Sequence, residues 1–198
     1  MNIPIFNAII TTDTMGIDRI SLVSAPAVKS DFLKFSKNVK QVMFSADEEK
    51  RIITGVLMRC DFPIYRNDEQ LGEYYIKFDA NTCRMMAEKL LFDDNQNKVN
   101  IEHLPNSDVE GVEMFELFIK DTEKGINPTG FEDITNGSLF ATFKVYNEKI
   151  WEAIKAGKFN GFSIEGTFEF EDVENDVDEE LNEVLTMLDE LYRKTHKG

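Results

Sequence analysis

The segment Lys158-Phe-Asn-Gly-Phe-Ser-Ile-Glu-Gly-Thr-Phe-Glu-Phe170 decides how the rest of the chain is interpreted. Its apolar residues alternate with small or polar ones, and this spacing predicts a half-buried strand. The apolar set is Phe162, Ile164, Phe168 and Phe170. Ser163 has the opposite parity, and Gly161 and Gly166 would let another backbone approach closely. On these residues alone, an ordinary strand serine is the simpler interpretation of Ser163, and a reactive hydroxyl is the alternative.

A short helix is predicted immediately before this strand, over residues 147–157. Asn147 can cap its N-terminus, because the side-chain oxygen can accept from a backbone N–H that has no helical partner. Gly157 can end the helix, because glycine adopts the left-handed turn without a Cβ clash. One apolar stripe lies along the helix, formed by Ile150, Trp151 and Ile154.

The composition predicts one globular domain with a substantial core. The chain has 198 residues, of which 42% are hydrophobic and 16 are Phe. Its formal net charge is −15. Such an acidic chain is not expected to bind nucleic acid through a general basic surface. A basic partner protein, or solubility alone, is the easier explanation of the charge.

Disulfide, metal, cofactor and membrane roles have little support in the sequence. Cys60 and Cys83 are too few for a disulfide framework and lack metal-ligand spacing. No phosphate-binding, zinc or calcium motif is present, so we expect no cofactor. The N-terminus lacks the basic region of a signal peptide, and no apolar run approaches the length of a membrane span. These features together predict a cytoplasmic protein.

The remaining pattern predicts a β-rich α+β domain. Strands are expected at 3–10, 17–28, 51–58, 99–103, 112–119 and 139–145, with hairpins within 32–44 and 65–78. Asp79 is expected to cap a helix that runs through residue 92. A loop rich in Gly, Pro and Asn covers 121–136 and is long enough to be functional.

The C-terminal part divides from this domain at about residue 170. Residues 171–180 are strongly acidic and are predicted to be a linker. Leucines and a valine then recur at helical spacing through 181–191, so residues 171–198 are predicted to end in an amphipathic helix. Its apolar face requires a partner, which could be the domain body or another chain.

The chain has two histidines that could serve as a catalytic base for a serine. His196 is near the end of the chain, where fraying makes it a poor candidate. His103 is expected to end the strand 99–103 just before a Leu-Pro-Asn-Ser turn. On the residues alone it is more simply a surface histidine, and only the fold could bring it to Ser163.

A longer run resembles a known family. It reads Leu139-Phe-Ala-Thr-Phe-Lys-Val-Tyr-Asn-Glu-Lys-Ile-Trp-Glu-Ala-Ile-Lys-Ala-Gly-Lys-Phe-Asn-Gly-Phe-Ser-Ile-Glu-Gly166, and it is similar to the signature of XkdF-like phage prohead serine proteases. The resemblance implies an assemblin-like β-barrel with short flanking helices and a C-terminal helical tail. It also implies a capsid-maturation protease in which Ser163 is the nucleophile and His103 the base.

The third member of the site is less well defined by the resemblance. An acidic residue in the strand after the histidine maps onto Glu116, whose carboxylate could hold His103 in the required tautomer. A solvated strand glutamate is an equally good interpretation. Asp18 is a second candidate, but the position that matches the related pattern is Arg19. Glu165 and Glu169 are interpreted as surface charges of the strand.

The resemblance further implies partners and a location. The expected substrates are the phage scaffold protein, the major capsid protein and the protease's own tail, with possible self-association and no contact with nucleic acid or membrane. The expected location is the host cytoplasm, within the assembling prohead. The alternative is a protein of the same fold that lacks catalysis and serves as a scaffold or capsid-assembly component.

Overall fold

The computed structural model describes residues 3–24 and 43–172, which form eleven strands and two helices. In chain order these are β1 (Ile5–Ile9), β2 (Gly16–Val23), β3 (Ser45–Asp47), β4 (Ile52–Met58), β5 (Ile64–Asp68), β6 (Gly72–Lys77), α1 (Ala80–Phe92), β7 (Val99–Ile101), β8 (Val112–Ile119), β9 (Leu139–Val145), α2 (Glu148–Lys155), β10 (Gly161–Thr167) and β11 (Glu169–Asp172). Most of the predicted hairpin at 32–44 and the predicted tail helix lie outside the described residues.

The described strands form three sheets. Their orders are β11-β1-β6-β5, β10-β2-β7 and β3-β4-β9-β8. The prediction of a β-rich α+β domain is confirmed, but the described strands do not close into a barrel. No helix in the described part is long and apolar enough to cross a membrane.

One apolar core joins the three sheets and both helices. Every residue of β9 except Lys144 is buried, because this strand lies between β4 and β8. The predicted stripe of α2 packs into the same core, with Ile150, Trp151 and Ile154 all buried. Burying side chains of this size contributes roughly 1.5–3 kcal/mol each. This packing holds α2 and the strand that follows it in fixed positions.

Both helices begin and end as their sequences predict. The Asp79 carboxylate accepts from the Thr82 N–H at 2.6 Å, which caps α1. The Asn147 side chain accepts from the Ile150 N–H at 3.2 Å, which caps α2. Gly157 follows α2 with a φ of 70°, the left-handed conformation that glycine adopts most easily.

The predicted strand at 162–170 is divided in two. β10 pairs antiparallel with β2, whereas β11 pairs with β1 in another sheet. A bulge between Glu165 and Gly166 precedes the change of sheet. A Cβ at Gly166 would fall on the Gly16 carbonyl oxygen, so the predicted close approach of a second backbone is confirmed here.

Candidate active site

The three strands β10, β2 and β7 carry polar side chains on one face and apolar side chains on the other. Ser163 of β10 is directly opposite Ser21 of β2, which in turn is aligned with Asn100 of β7. Aligned residues of paired strands point to the same side of a sheet, and so does Glu165, two residues after Ser163. The opposite face faces the core through the buried side chains of Phe162, Leu22, Ile20 and Val99. The sheet therefore gathers four polar residues on its outer face.

A tight turn after β7 places His103 over this face. β7 ends at Ile101, earlier than predicted, and Glu102 and His103 both have positive φ, at 53° and 56°. Left-handed backbone costs a non-glycine residue roughly 1–2 kcal/mol, so the surrounding contacts must hold it. The Glu102 carboxylate accepts from the Ser24 N–H at 2.6 Å. The Ser107 hydroxyl accepts from the Ile101 N–H at 3.1 Å. These bonds fix where the imidazole lies.

The imidazole of His103 contacts two of the four polar residues through one nitrogen. Its Nδ1 lies 3.0 Å from Glu165 Oε1 and 2.9 Å from Ser21 Oγ. The side chains of His103 and Glu165 are 38% and 37% exposed, so the pair is open to solvent on its outer side. A carboxylate that binds one ring nitrogen leaves the other ring nitrogen, Nε2, available as a proton acceptor.

Glu165 is the acceptor at the centre of the cluster. Its Oε1 accepts from Asn100 Nδ2 at 2.6 Å and lies within hydrogen-bond distance of His103 and Ser21. Burial by itself raises the pKa of Glu165, but the hydrogen bonds from Asn100, His103 and Ser21 outweigh it and hold the pKa below its ordinary value. Glu165 is therefore ionised at neutral pH, when His103 needs an orienting carboxylate.

Ser163 lies opposite the serine that His103 contacts, and it is not itself bonded to the histidine. The Cβ atoms of directly opposed residues in antiparallel strands are about 4.5–5.5 Å apart. Ser163 is directly opposed to Ser21, the serine that His103 contacts, so their side chains are neighbours. Ser21 is fully buried, whereas Ser163 is 9% exposed. Among the hydrogen bonds of the described residues, those of His103 go to Ser21 and Glu165 and none goes to Ser163. Catalytic hydrogen bonds are often long or poorly aligned before substrate binds and tighten only in the complex.

Glu116 does not occupy the position that the sequence predicts for it. It lies on β8, which belongs to a different sheet from Ser163, and its side chain is exposed in a surface pocket beside Phe115 and Ile126. A bulge between Met114 and Glu116 shifts the register of this strand against β9. The carboxylate that contacts His103 is that of Glu165, which the sequence interpretation had placed among surface charges.

The N-terminal alternative, Asp18, is also away from His103. It is exposed on β2, at the bulge where the pairing with β10 shifts by one residue. Arg19, the next residue, lies directly opposite Glu165 and forms an ion pair with Asp108. The sheet face beside Glu165 therefore carries a cation rather than a second carboxylate.

The loop at 121–136 offers no glycine N–H to an oxyanion near Ser163. Gly125 donates to Thr122 O at 3.2 Å, and Gly130 donates to the Glu132 carboxylate at 2.9 Å. Gly137, just after the loop, donates to Lys120 O at 2.9 Å. These local bonds use the backbone N–H groups that a glycine-rich loop could otherwise offer to an oxyanion.

Sequence reasoning missed three residues of the cluster: Ser21, Asn100 and Glu165. Glu165 carried a usable signal, because its spacing of two from Ser163 puts both on one face of a strand. Ser21 and Asn100 carried none, because their alignment with Ser163 comes from strand pairings between distant segments. In residues 3–24 and 43–172, no group of three or more His, Cys, Asp or Glu side chains could hold a metal ion.

One of the comparisons with known proteins gives a match. A family model described as "Putative phage serine protease XkdF" matches residues 38–172, well over half of the chain. That range includes Asn100, His103, Ser163 and Glu165 but not Ser21. No curated protein and no solved structure matches the chain. The chain belongs to the XkdF family of phage serine proteases.

Proposed function

We propose that this protein is a serine endopeptidase in which Ser163 is the nucleophile, His103 the general base and Glu165 the residue that orients the base. The observation that carries the proposal is the 3.0 Å contact between His103 Nδ1 and Glu165 Oε1, made on the same sheet face as Ser163. A serine, a histidine and a carboxylate with these neighbours form the nucleophile–base–orienting group that acyl transfer requires. Family membership supports the same reaction class.

In the proposed reaction, Ser163 Oγ attacks the carbonyl carbon of the scissile peptide bond while its proton passes to His103 Nε2. The tetrahedral intermediate expels the amine, which takes that proton from the imidazolium, and an acyl-enzyme remains. Water then attacks the ester, again losing a proton to His103, and Ser163 recovers its own as the acid product leaves. Throughout, Glu165 accepts from Nδ1 and stabilises the transient positive charge of the ring.

The proposed substrates are segments of the phage scaffold and major capsid proteins, and of the protease's own tail. The site supports polypeptide substrates because it lies on an open sheet face, with a third or more of the side chains of His103 and Glu165 exposed. Phage family membership supports a role in the assembling prohead in the host cytoplasm. Processing of the tail, residues 171–198, by another copy of the chain would make self-association part of the same step.

The test is cleavage and active-site labelling with matched variants. The protein is coexpressed with the scaffold and capsid proteins of its phage, and products are measured by intact mass. Ser163→Ala and His103→Ala should each abolish the products, whereas His196→Ala, which removes the other histidine, should leave them unchanged. A fluorophosphonate probe should label the wild type at Ser163. Cleavage that survives Ser163→Ala refutes the assignment.

One observation favours a second candidate, an assembly protein of this fold without catalysis. His103 bonds to Ser21 and Glu165 but not to Ser163, an arrangement that a purely structural histidine would also adopt. For that function, neither labelling nor cleavage appears in assembled proheads, and Ser163→Ala has no effect on head formation. The labelling experiment therefore separates the two functions directly.

A further inference from the structure

The buried layer beneath His103 is formed by Ser21 and Asn100. They are aligned on the parallel strands β2 and β7, they are 0% and 3% exposed, and the Ser21 hydroxyl is bonded to Asn100 Oδ1. Buried polar side chains are costly unless their hydrogen-bonding groups are satisfied. Two such residues on one side of a histidine therefore constrain where protons lie in the cluster.

The orientation of the Asn100 amide follows from Glu165. An ionised carboxylate only accepts, so the Asn100 atom 2.6 Å from Glu165 Oε1 is the NH₂ group. The amide oxygen is then directed at Ser21 and can accept from its hydroxyl. Ser21 has a single proton and faces two acceptors, this amide oxygen and Glu165 Oε1 at 3.1 Å. Whether the proton is shared between them or held by one, the hydroxyl oxygen is left as an acceptor toward His103.

The same reasoning assigns the proton of His103. Nδ1 faces the Ser21 oxygen at 2.9 Å and the Glu165 oxygen at 3.0 Å. Both oxygens act as acceptors, so a bare nitrogen lone pair between them would be repelled. The proton is therefore on Nδ1, and the neutral ring has its lone pair on Nε2.

We propose that Ser21 and Asn100 are positioning residues that, with Glu165, lock neutral His103 in the Nδ1–H tautomer. Removing either one lets the neutral ring exchange tautomers or turn away from the sheet. Ser21 lies on the N-terminal strand, outside the range that the family model matches, so this strand supplies part of the site. The catalytic consequence rests on the proposed function, in which Nε2 is the base, but the tautomer itself does not.

The experiment is ¹⁵N NMR of the two histidines in the full-length protein, at a pH where both rings are neutral. The His196→Gln variant identifies the His103 signals, because only one histidine remains. A nitrogen that bears a proton and one that bears a lone pair have well-separated shifts, so the tautomer is read directly. His103 should be Nδ1–H, and a wild-type His103 in the Nε2–H form overturns the proposal without any further variant.

Ser21→Ala and Ser163→Ala form a matched pair, because the two serines are directly opposed on adjacent strands. Ser21→Ala and Asn100→Leu should each move His103 toward a mixture of tautomers and slow fluorophosphonate labelling by about 10- to 100-fold, within what a general base supplies. Ser163→Ala should abolish labelling and leave the tautomer unchanged. A tautomer unaffected in both Ser21→Ala and Asn100→Leu also overturns the proposal.

Failure of the two proposals is distinguishable. If no variant and no wild-type sample is labelled while His103 is Nδ1–H and responds to Ser21→Ala, the hydrogen-bond assignment stands and the protease function fails. If labelling depends on Ser163 but the tautomer of His103 is unchanged in Ser21→Ala and Asn100→Leu, the protease function stands and the hydrogen-bond assignment fails. Labelling lost in Ser21→Ala and retained in Ser163→Ala makes Ser21 the nucleophile and refutes both.

Discussion

Replacing Glu165 by Gln tests the centre of the site through stability as well as activity. The Oε1 atom of Glu165 lies within hydrogen-bond distance of three groups, at 2.6, 3.0 and 3.1 Å. Gln keeps one acceptor oxygen in the same place but removes the charge and turns the second oxygen into a donor. The three contacts therefore weaken while the shape of the side chain is preserved.

The size of the effect follows from the number of bonds and their exposure. A hydrogen bond to a charged group contributes roughly 1.5–3 kcal/mol when it is shielded from water. The Glu165 side chain is 37% exposed, and solvent reduces such contributions toward those of surface pairs. Since the side-chain oxygen of Gln can still accept some of these hydrogen bonds, we expect Glu165→Gln to lower the free energy of unfolding by about 1–2 kcal/mol at pH 7.

The effect should also depend on pH in a defined direction. The pKa of Glu165 is lower in the folded protein than its ordinary value. Its contribution to stability is therefore fully present at any pH above the ordinary glutamate pKa of about 4.3. That contribution is lost as pH falls through the folded pKa. The stability difference between wild type and Glu165→Gln should therefore shrink in acid.

The assay is urea unfolding followed by fluorescence of Trp151, the chain's one tryptophan, which is buried in the core. Glu169→Gln is the control, because Glu169 is an exposed carboxylate on β11 whose one hydrogen bond among the described residues comes from the Thr11 hydroxyl at 2.8 Å. It should change stability by less than about 0.5 kcal/mol. Equal stability of the two variants, or a difference that persists unchanged in acid, would refute the reasoning.

Two further substitutions test other buried positions of the fold by the same unfolding assay. Lys120 is 1% exposed, and its ammonium donates to two backbone carbonyls at 2.7 and 3.0 Å. Lys120→Met should therefore lower the free energy of unfolding by about 1–3 kcal/mol. The control is Lys124→Met, which removes an exposed ammonium and should lower it by less than about 0.5 kcal/mol. Equal costs would show that the buried ammonium is dispensable. Gly166→Ala places a methyl group on the Gly16 carbonyl and should cost about 1–3 kcal/mol; wild-type stability would mean that the bulge can shift.

Local chemistry allowed much of the fold to be predicted from sequence. The caps at Asp79 and Asn147 and the left-handed glycine at 157 act within a few residues, so their outcome depends little on the rest of the chain. Alternation likewise placed Phe162 in the core and Ser163 on the opposite face. Glu116 was assigned from the resemblance instead, and it lies on a different sheet from Ser163.

The sequence by itself determined most of the described strands, both helices, the β-rich class and the face that Ser163 occupies, because these depend on residues close in the chain. Only the tertiary structure decided that Glu165 rather than Glu116 contacts His103, and that Ser21 and Asn100 lie beneath the ring. Those contacts depend on the register of β2 against β10 and β7, and strand pairings between distant segments leave no local mark in the sequence.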